Sequence, residues 1–193
     1  IGFVLGPCIN ASGRLDTAAR SLALLNAKTK EEAARLAGDL TALNQSRKAL
    51  TEKGKEEAIR IIETTELKND RVLVVYLPDC HESLAGIIAG RIREKYHRPA
   101  FVLTGGETSA KGSGRSIESY SMYEELVKCA DLMIQFGGHP MAAGLSIEEK
   151  NIEEFRRRLN VNCTLTDEEL RPKIVIDVPM PVSYICLLYT SPS

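Results

Sequence analysis

The sequence predicts an α/β protein: a mixed-sheet domain preceded by a long connecting helix, with the start of a β-rich unit at the C-terminus. Three observations carry this. Over residues 70–160, strand-like and helix-like runs alternate. Residues 30–63 contain no proline and carry apolar side chains at helical spacing. Residues 171–185, RPKIVIDVPMPVSYI, read as short strands bounded by prolines.

Residues 1–29 read as an apolar segment, a loop (GPCINASGRLD) and a short helix. Asp16 or Thr17 can cap that helix, which carries Ala18, Leu22 and Leu25 on one face. In 30–65, Leu36, Leu40, Leu43, Leu50 and Ile61 form one apolar seam, interrupted at Arg47, Gly54 and Glu57. At 1.5 Å per residue such a helix is about 50 Å long. So polar a helix is marginal when free. A coiled-coil arm is one reading. A connector between two domains is preferred, because dense motifs lie on both sides.

Residues 66–160 form the α/β domain. VLVVYL (72–77) is a buried strand, and 83–96 is a helix facing inward with Leu84, Ile87, Ile88 and Ile92. PAFVLT (99–104) is a second strand, and SAKGSGRSI (109–117) a strand running into a loop. Residues 121–132 read as a helix, MAAGLSI (141–147) as a strand, and 148–159 as a charged helix. Residues 161–185 shift to the β-rich pattern, and 186–193 (CLLYTSPS) break it, as a non-native end would.

Bulk properties narrow the function classes. The chain has 193 residues, is 44% apolar and 26% charged, and has a net charge of −1. It therefore has no overall basic field, and any nucleic-acid site must be local. Five cysteines, Cys8, Cys80, Cys129, Cys163 and Cys186, form no CxxC pair, which argues against a disulfide scaffold or zinc site and fits a reducing cytoplasm. No apolar run approaches the roughly 20 residues of a membrane span. No signal peptide is visible, but the chain opens on Ile1 without an initiator Met, as if cut from a longer protein.

The candidate chemistry is anion binding. In KGSGRS (111–116), Gly112 and Gly114 permit close backbone approach, Ser113 and Ser116 offer hydroxyls, and Lys111 and Arg115 supply charge. A guanidinium can hold a phosphate with two parallel hydrogen bonds. The plainer reading is a turn with solvated charges. In GGHPMAAG (137–144), Gly137 and Gly138 precede His139, which can donate to a phosphate or a sugar oxygen; a buried turn with a satisfied histidine is the alternative. Asn10, Ser12 and Arg14 crowd a third glycine-punctuated segment ahead of a helix, whose N-terminus favours anions. His81 and Glu82 read as helix capping, and no metal-ligand spacing or nucleophile elbow is present.

GPCINASGRLDTA, the helix with LNQSRK, HESLAGIIAGRIREKYHRPAFVLT, KGSGRS and GGHPMAAGLSI occur in this order. Together they resemble the RecJ-like single-stranded-DNA-specific exonucleases of the DHH phosphoesterase superfamily. The resemblance covers roughly residues 1–185 and implies a layout. Residues 1–29 would end a DHH catalytic domain, 30–65 form the connecting helix, 66–160 the DHH-associated domain, and 161–185 the start of an OB-fold.

It also implies 5′→3′ exonuclease chemistry assisted by two Mn²⁺ or Mg²⁺ ions, whose Asp/His ligands lie outside this chain. No metal or other cofactor is expected on the segment itself, and it is expected to be inactive alone. By matched position, Ser113, Gly114 and Arg115, with Lys111 and Ser116, would grip the DNA backbone or its 5′ phosphate. His139, a tentative catalytic group, would face the metal cleft with Gly137 and Gly138, and Asn10 and Arg14 would line it. Implied partners are single-stranded DNA with a 5′ phosphate, a single-stranded-DNA-binding protein and a helicase; no membrane is expected. Cys8 departs from the Arg of many relatives, and Ser83–Leu84 from a usual Gly–Val pair. Two other readings stay open: a phosphodiesterase for oligonucleotides or cyclic dinucleotides, and a non-catalytic nucleic-acid-binding module.

Overall fold

A computed structural model describes residues 2, 4–173, 176–179 and 181. The elements follow in chain order: α1 (Leu5–Leu15), α2 (Ala19–Leu25), α3 (Lys30–Thr64), β1 (Leu73–Leu77), α4 (Glu82–Tyr96), β2 (Ala100–Thr104), β3 (Ala110–Arg115), α5 (Met122–Val127), β4 (Met133–His139), β5 (Ala142–Ile147) and α6 (Ile152–Val161). The sheet order is β1-β2-β3-β5-β4. β1 and β2 are parallel and every other pair is antiparallel, so the sheet is mixed as expected.

α3 is the expected long helix. Thr29 caps it by accepting from the Glu32 amide, and Glu32 accepts from the Lys28 amide. Glu31 and Glu32 in the first turn suit the positive end of the helix dipole. The apolar seam is not continuous. Leu36, Leu40 and Asn44 are buried in the first half and Ala58 and Ile62 in the second, while Leu50 is 45% exposed. The helix is therefore anchored at two places. α1 and α2 pack on the first half, and α4 and β1 on the second. Gly54, which interrupted the seam, lets the second contact close: a Cβ there would lie 2.6 Å from Ile88 Cδ1.

Each face of the sheet buries its own core. Phe101 and Leu103 of β2 pack with Met122, Leu126, Phe155 and Leu159 on one side. Ala100 and Val102 pack with Ile62, Leu84, Ile88 and Ile92 on the other. A strand buried on both faces reads as an unbroken apolar run, which is why AFVL lacks alternation. Phe101 and Phe155 meet edge to face at 5.4 Å. α4 ends on His97, left-handed at φ 50°, and Pro99 follows within two residues.

Several expectations change. GPCINASGRL is not a loop but helix α1; Pro7 sits in the first turn, where its missing amide proton costs nothing. Inside it, Ser12 lies 2.7 Å from Ser21, hydroxyl to hydroxyl, and Ser21 is the buried face of α2. Leu22 and Leu25, read as part of one apolar face, are 60% and 72% exposed. No side chain caps α2; Asp16 pairs with Arg20 instead. The helix expected over 121–132 stops at Val127, and a 3-10 turn over Ala130–Leu132 leads into β4, a strand not foreseen.

The domain's packing also runs past residue 160. Leu165 is buried in the first core, and Arg71 donates to its carbonyl and pairs with Asp167. Among the described residues no strand follows Ile147. Of the β-rich expectation for 171–185, residues 171–173, 176–179 and 181 are described and none of them lies in a strand; the rest of that span and all of 186–193 lie outside the described residues. Among the described residues no helix is long and apolar enough to cross a membrane.

Candidate phosphate-binding groove

On the second-core face α3 covers β1 and α4 covers β2 and the near side of β3, leaving the same face of β5 and β4 uncovered. The uncovered part is a groove of about 530 Å³, lined by Glu82, Ser83, Lys111, Ser113, Gln135 and Ser146 among others. Side chains alternate across a strand, so the register assigns residues to this face in three rows. Lys111, Ser146 and Gln135 form the first row; Ser113, Gly144 and Gly137 the second; Arg115, Ala142 and His139 the third. On β5 the complementary residues Ala143, Leu145 and Ile147 are buried. The middle row is largely bare main chain. A Cβ on Gly137 would meet nothing within 4 Å, and one on Gly144 only Gly112 O at 3.8 Å.

Arg115 lies along α4 against its small residues. A Cβ on Gly86 would sit 2.8 Å from Arg115 Nη2 and 3.4 Å from Ser113 Oγ. Gly86 thus leaves room for the guanidinium. Arg115 donates to its neighbour's carbonyl, Gly114 O, at 2.7 Å, and neither Arg115 nor Arg14 has a carboxylate partner among the described residues. Burial holds the Arg115 pKa below its ordinary value, and the Arg14 charge adds to this. A half-buried guanidinium with a second, exposed one near it, neither paired with a carboxylate among the described residues, suits an anion.

Arg14 is fixed from α4. Its Nη1 donates to Ser83 O at 2.7 Å, and Ser83 Oγ donates to Arg14 O at 2.8 Å. His81 caps α4, with Nδ1 accepting from the Ser83 amide and lying 2.8 Å from Ser83 Oγ. Asn10 lies one turn before Arg14 on the same side of α1 and is exposed. At the other end of the groove, Lys111 Nζ is 2.6 Å from Glu82 Oε2, both side chains half exposed. A pair so exposed contributes about 0–1 kcal/mol. His139 is exposed, and its Nδ1 accepts from the Met141 amide across the β4–β5 turn at 3.3 Å.

The expected residues therefore separate. Lys111, Ser113, Arg115, Gly137 and His139 share the groove face, and Arg14 reaches it from α1. The glycines of both motifs lie in strands, and only Pro140 and Met141 of the second form a turn. Lys111–Arg115 lies in β3, and Gly137, Gly138 and His139 close β4.

Ser116 does not line the groove: it is buried, and its hydroxyl donates to Tyr120 O. Gly114 points to the other core, where a Cβ would fall 2.4 Å from Met122 Sδ and 2.6 Å from the Phe101 ring. Gly138, at φ +155°, faces Ala143, whose Cα would be 2.6 Å from its Cβ. Both glycines are required by packing. Ser83, Gly86, Gln135 and Ser146 were not foreseen. A mid-helix glycine in an otherwise strong helix former was the available signal for Gly86.

Comparison with known proteins follows the same lines. Residues 69–164 match the DHHA1 domain model. The chain is similar to the single-stranded-DNA-specific exonuclease RecJ of Salmonella typhimurium, with 40% identity over 190 residues, 93% of this chain and 33% of that one. The Bacillus subtilis RecJ is 36% identical, over 92% of this chain and 23% of its own. The crystal structure of RecJ in complex with Mg²⁺ from Thermus thermophilus superposes with a TM-score of 0.75 at 33% identity, covering 82% of this chain and 24% of that one. The chain thus spans about a third or less of the length of these relatives.

Proposed function

We propose, from the premise that this chain is a RecJ-related segment whose residues 69–164 are a DHHA1 domain, that it is the substrate-gripping wall of a 5′→3′ single-stranded-DNA exonuclease. The observation that carries this is the pair of guanidiniums, Arg14 and Arg115, brought together from α1 and β3 with no carboxylate between them. Ser113 beside Arg115 adds a hydroxyl, and the bare Gly137–Gly144 row lets a backbone lie close. This arrangement suits a 5′-terminal phosphate. His139, at the rim, would reach a phosphate or sugar oxygen further along the strand, and Asn10 would extend the Arg14 side.

Hydrolysis itself belongs to the longer protein. Among the described residues no group of three His, Cys, Asp or Glu side chains could hold a metal ion, so no step here runs through one. Relatives have been crystallised with Mg²⁺ and Mn²⁺. The whole enzyme would use such ions to activate water and stabilise the leaving oxygen. This chain binds and orients the strand. A single-stranded-DNA-binding protein and a helicase are the expected partners of that enzyme, and the cytoplasm its compartment.

The test is competition binding with 5′-phosphorylated single-stranded DNA, cyclic dinucleotide and tRNA. The first should win, with a strong salt dependence. Arg115→Ala should weaken 5′-phosphate binding by at least ~1 kcal/mol, the scale of a charge-assisted hydrogen bond. An unchanged affinity would overturn the assignment. Incubated alone with this DNA and Mn²⁺, the chain should leave it intact; robust cleavage would refute its role as a binding wall only.

A further inference from the structure

The Lys111–Glu82 ion pair is the part of the groove that gripping a phosphate does not use. Lys111 stands in the first row, four residues from Arg115 on the same strand face, about 13 Å along a β-strand. Left free, it would make the groove cationic at both ends and ready for two phosphates. Glu82, in the first turn of α4, places a carboxylate oxygen 2.6 Å from Lys111 Nζ. Around that pair stand neutral donors and acceptors, Ser83, Gln135 and Ser146. The two ends therefore differ in charge: the Arg115–Arg14 end is unneutralised and the Lys111 end is neutral.

We propose that Glu82 is the charge-selecting residue of this groove. It occupies Lys111, so the groove takes one phosphate at Arg115 and Arg14 and an uncharged portion of the nucleotide, sugar or base, at Lys111, Gln135 and Ser146. A second phosphate arriving at Lys111 meets the Glu82 carboxylate first. The inference rests on the phosphate-gripping reading above and adds to it what the far end of the groove accepts. Because the pair is half exposed, it opens at little cost, and Glu82 selects by charge and not by blocking the way.

The full chain, titrated with a 5′-phosphorylated oligodeoxynucleotide over a salt series, tests this by fluorescence anisotropy. Glu82→Gln keeps the size of the side chain and one acceptor oxygen and removes its charge. It should tighten binding about threefold, the order expected for removing one like charge in a water-screened site. It should also steepen log K against log salt by about 0.7, one more phosphate contact on a single strand. In a Lys111→Met background the same change should give no steepening. An unchanged slope, or equal gain in both backgrounds, would overturn the proposal. Arg115→Ala, run alongside, separates the two readings. If it leaves the preference for a 5′ phosphate intact, the phosphate grip itself fails. If it abolishes that preference while Glu82→Gln stays flat, only the role of Glu82 fails.

Discussion

Replacing Gly86 by Ala should separate stability from binding. The added methyl would lie 2.8 Å from Arg115 Nη2 and 3.4 Å from its Cζ, closer than unbonded atoms settle, so the guanidinium must move. What it meets is the far end of a flexible side chain and not backbone, so the fold can absorb it. Gly to Ala within α4 gains about 0.5–1 kcal/mol of helix propensity. For a chain of this length, 1 kcal/mol shifts Tm by about 2–4 °C. The melting temperature should therefore hold or rise. Binding should fall, because Arg115 leaves the position it shares with Arg14 and Ser113. Loss of one charge-assisted hydrogen bond costs about 1.5 kcal/mol, roughly tenfold in affinity. Anisotropy with 5′-phosphorylated and 5′-hydroxyl oligonucleotides, beside a thermal melt, reads both quantities. Unchanged 5′-phosphate affinity in Gly86→Ala would refute the idea that α4 seats the guanidinium.

Gly114→Ala should do the reverse and cost about 1–3 kcal/mol in urea unfolding, because its methyl would enter the Phe101–Met122 packing; a neutral result would remove Gly114 from the core. Asp70 accepts two hydrogen bonds from Arg156 at 2.6 and 3.2 Å with both side chains largely buried, so Asp70→Asn should cost about 1–3 kcal/mol by the same measurement. Burial first, and the Glu125 charge second, push the Tyr120 phenol above its ordinary value of 10.0. A raised folded-state value means that stability is fully present below pH ~10 and is lost as pH climbs above it. Tyr120→Phe should flatten that alkaline loss in denaturant titrations at fixed pH; an identical slope in both proteins would count against it.

The sheet and its helices were legible where burial dictates pattern. VLVVYL and PAFVLT are both covered on the two faces of the sheet, although β1 is an edge strand and β2 a central one, and burial on both faces is what such runs need. The connecting helix showed in its spacing, but its two-part anchoring did not, because Leu50 is as apolar in sequence as Leu40 and only the fold decides which of them is covered. The glycine motifs misled in conformation. Gly112 and Gly114 looked like turn residues. They are strand residues because Leu145, Leu103, Phe101 and Met122 fill the space where their side chains would be. β4 was hidden for a related reason, since MIQFGGH carries two glycines before its last residue. α1 was hidden by Gly6, Pro7 and Gly13, breakers tolerated here at a first turn and near an end. Of the groove, the cations were visible in the sequence. The residues that aim them, Ser83 and Gly86, were not, because aiming is a relation between elements distant in the chain.

The bare middle row of the groove has a consequence for what can be told apart there. A floor of main chain at Gly137 and Gly144 offers no side-chain edge against which adenine, guanine, cytosine and thymine would score differently. Every strand would meet the same floor. A surface of this kind is indifferent to the letters it passes, which is what the proposed binding role requires.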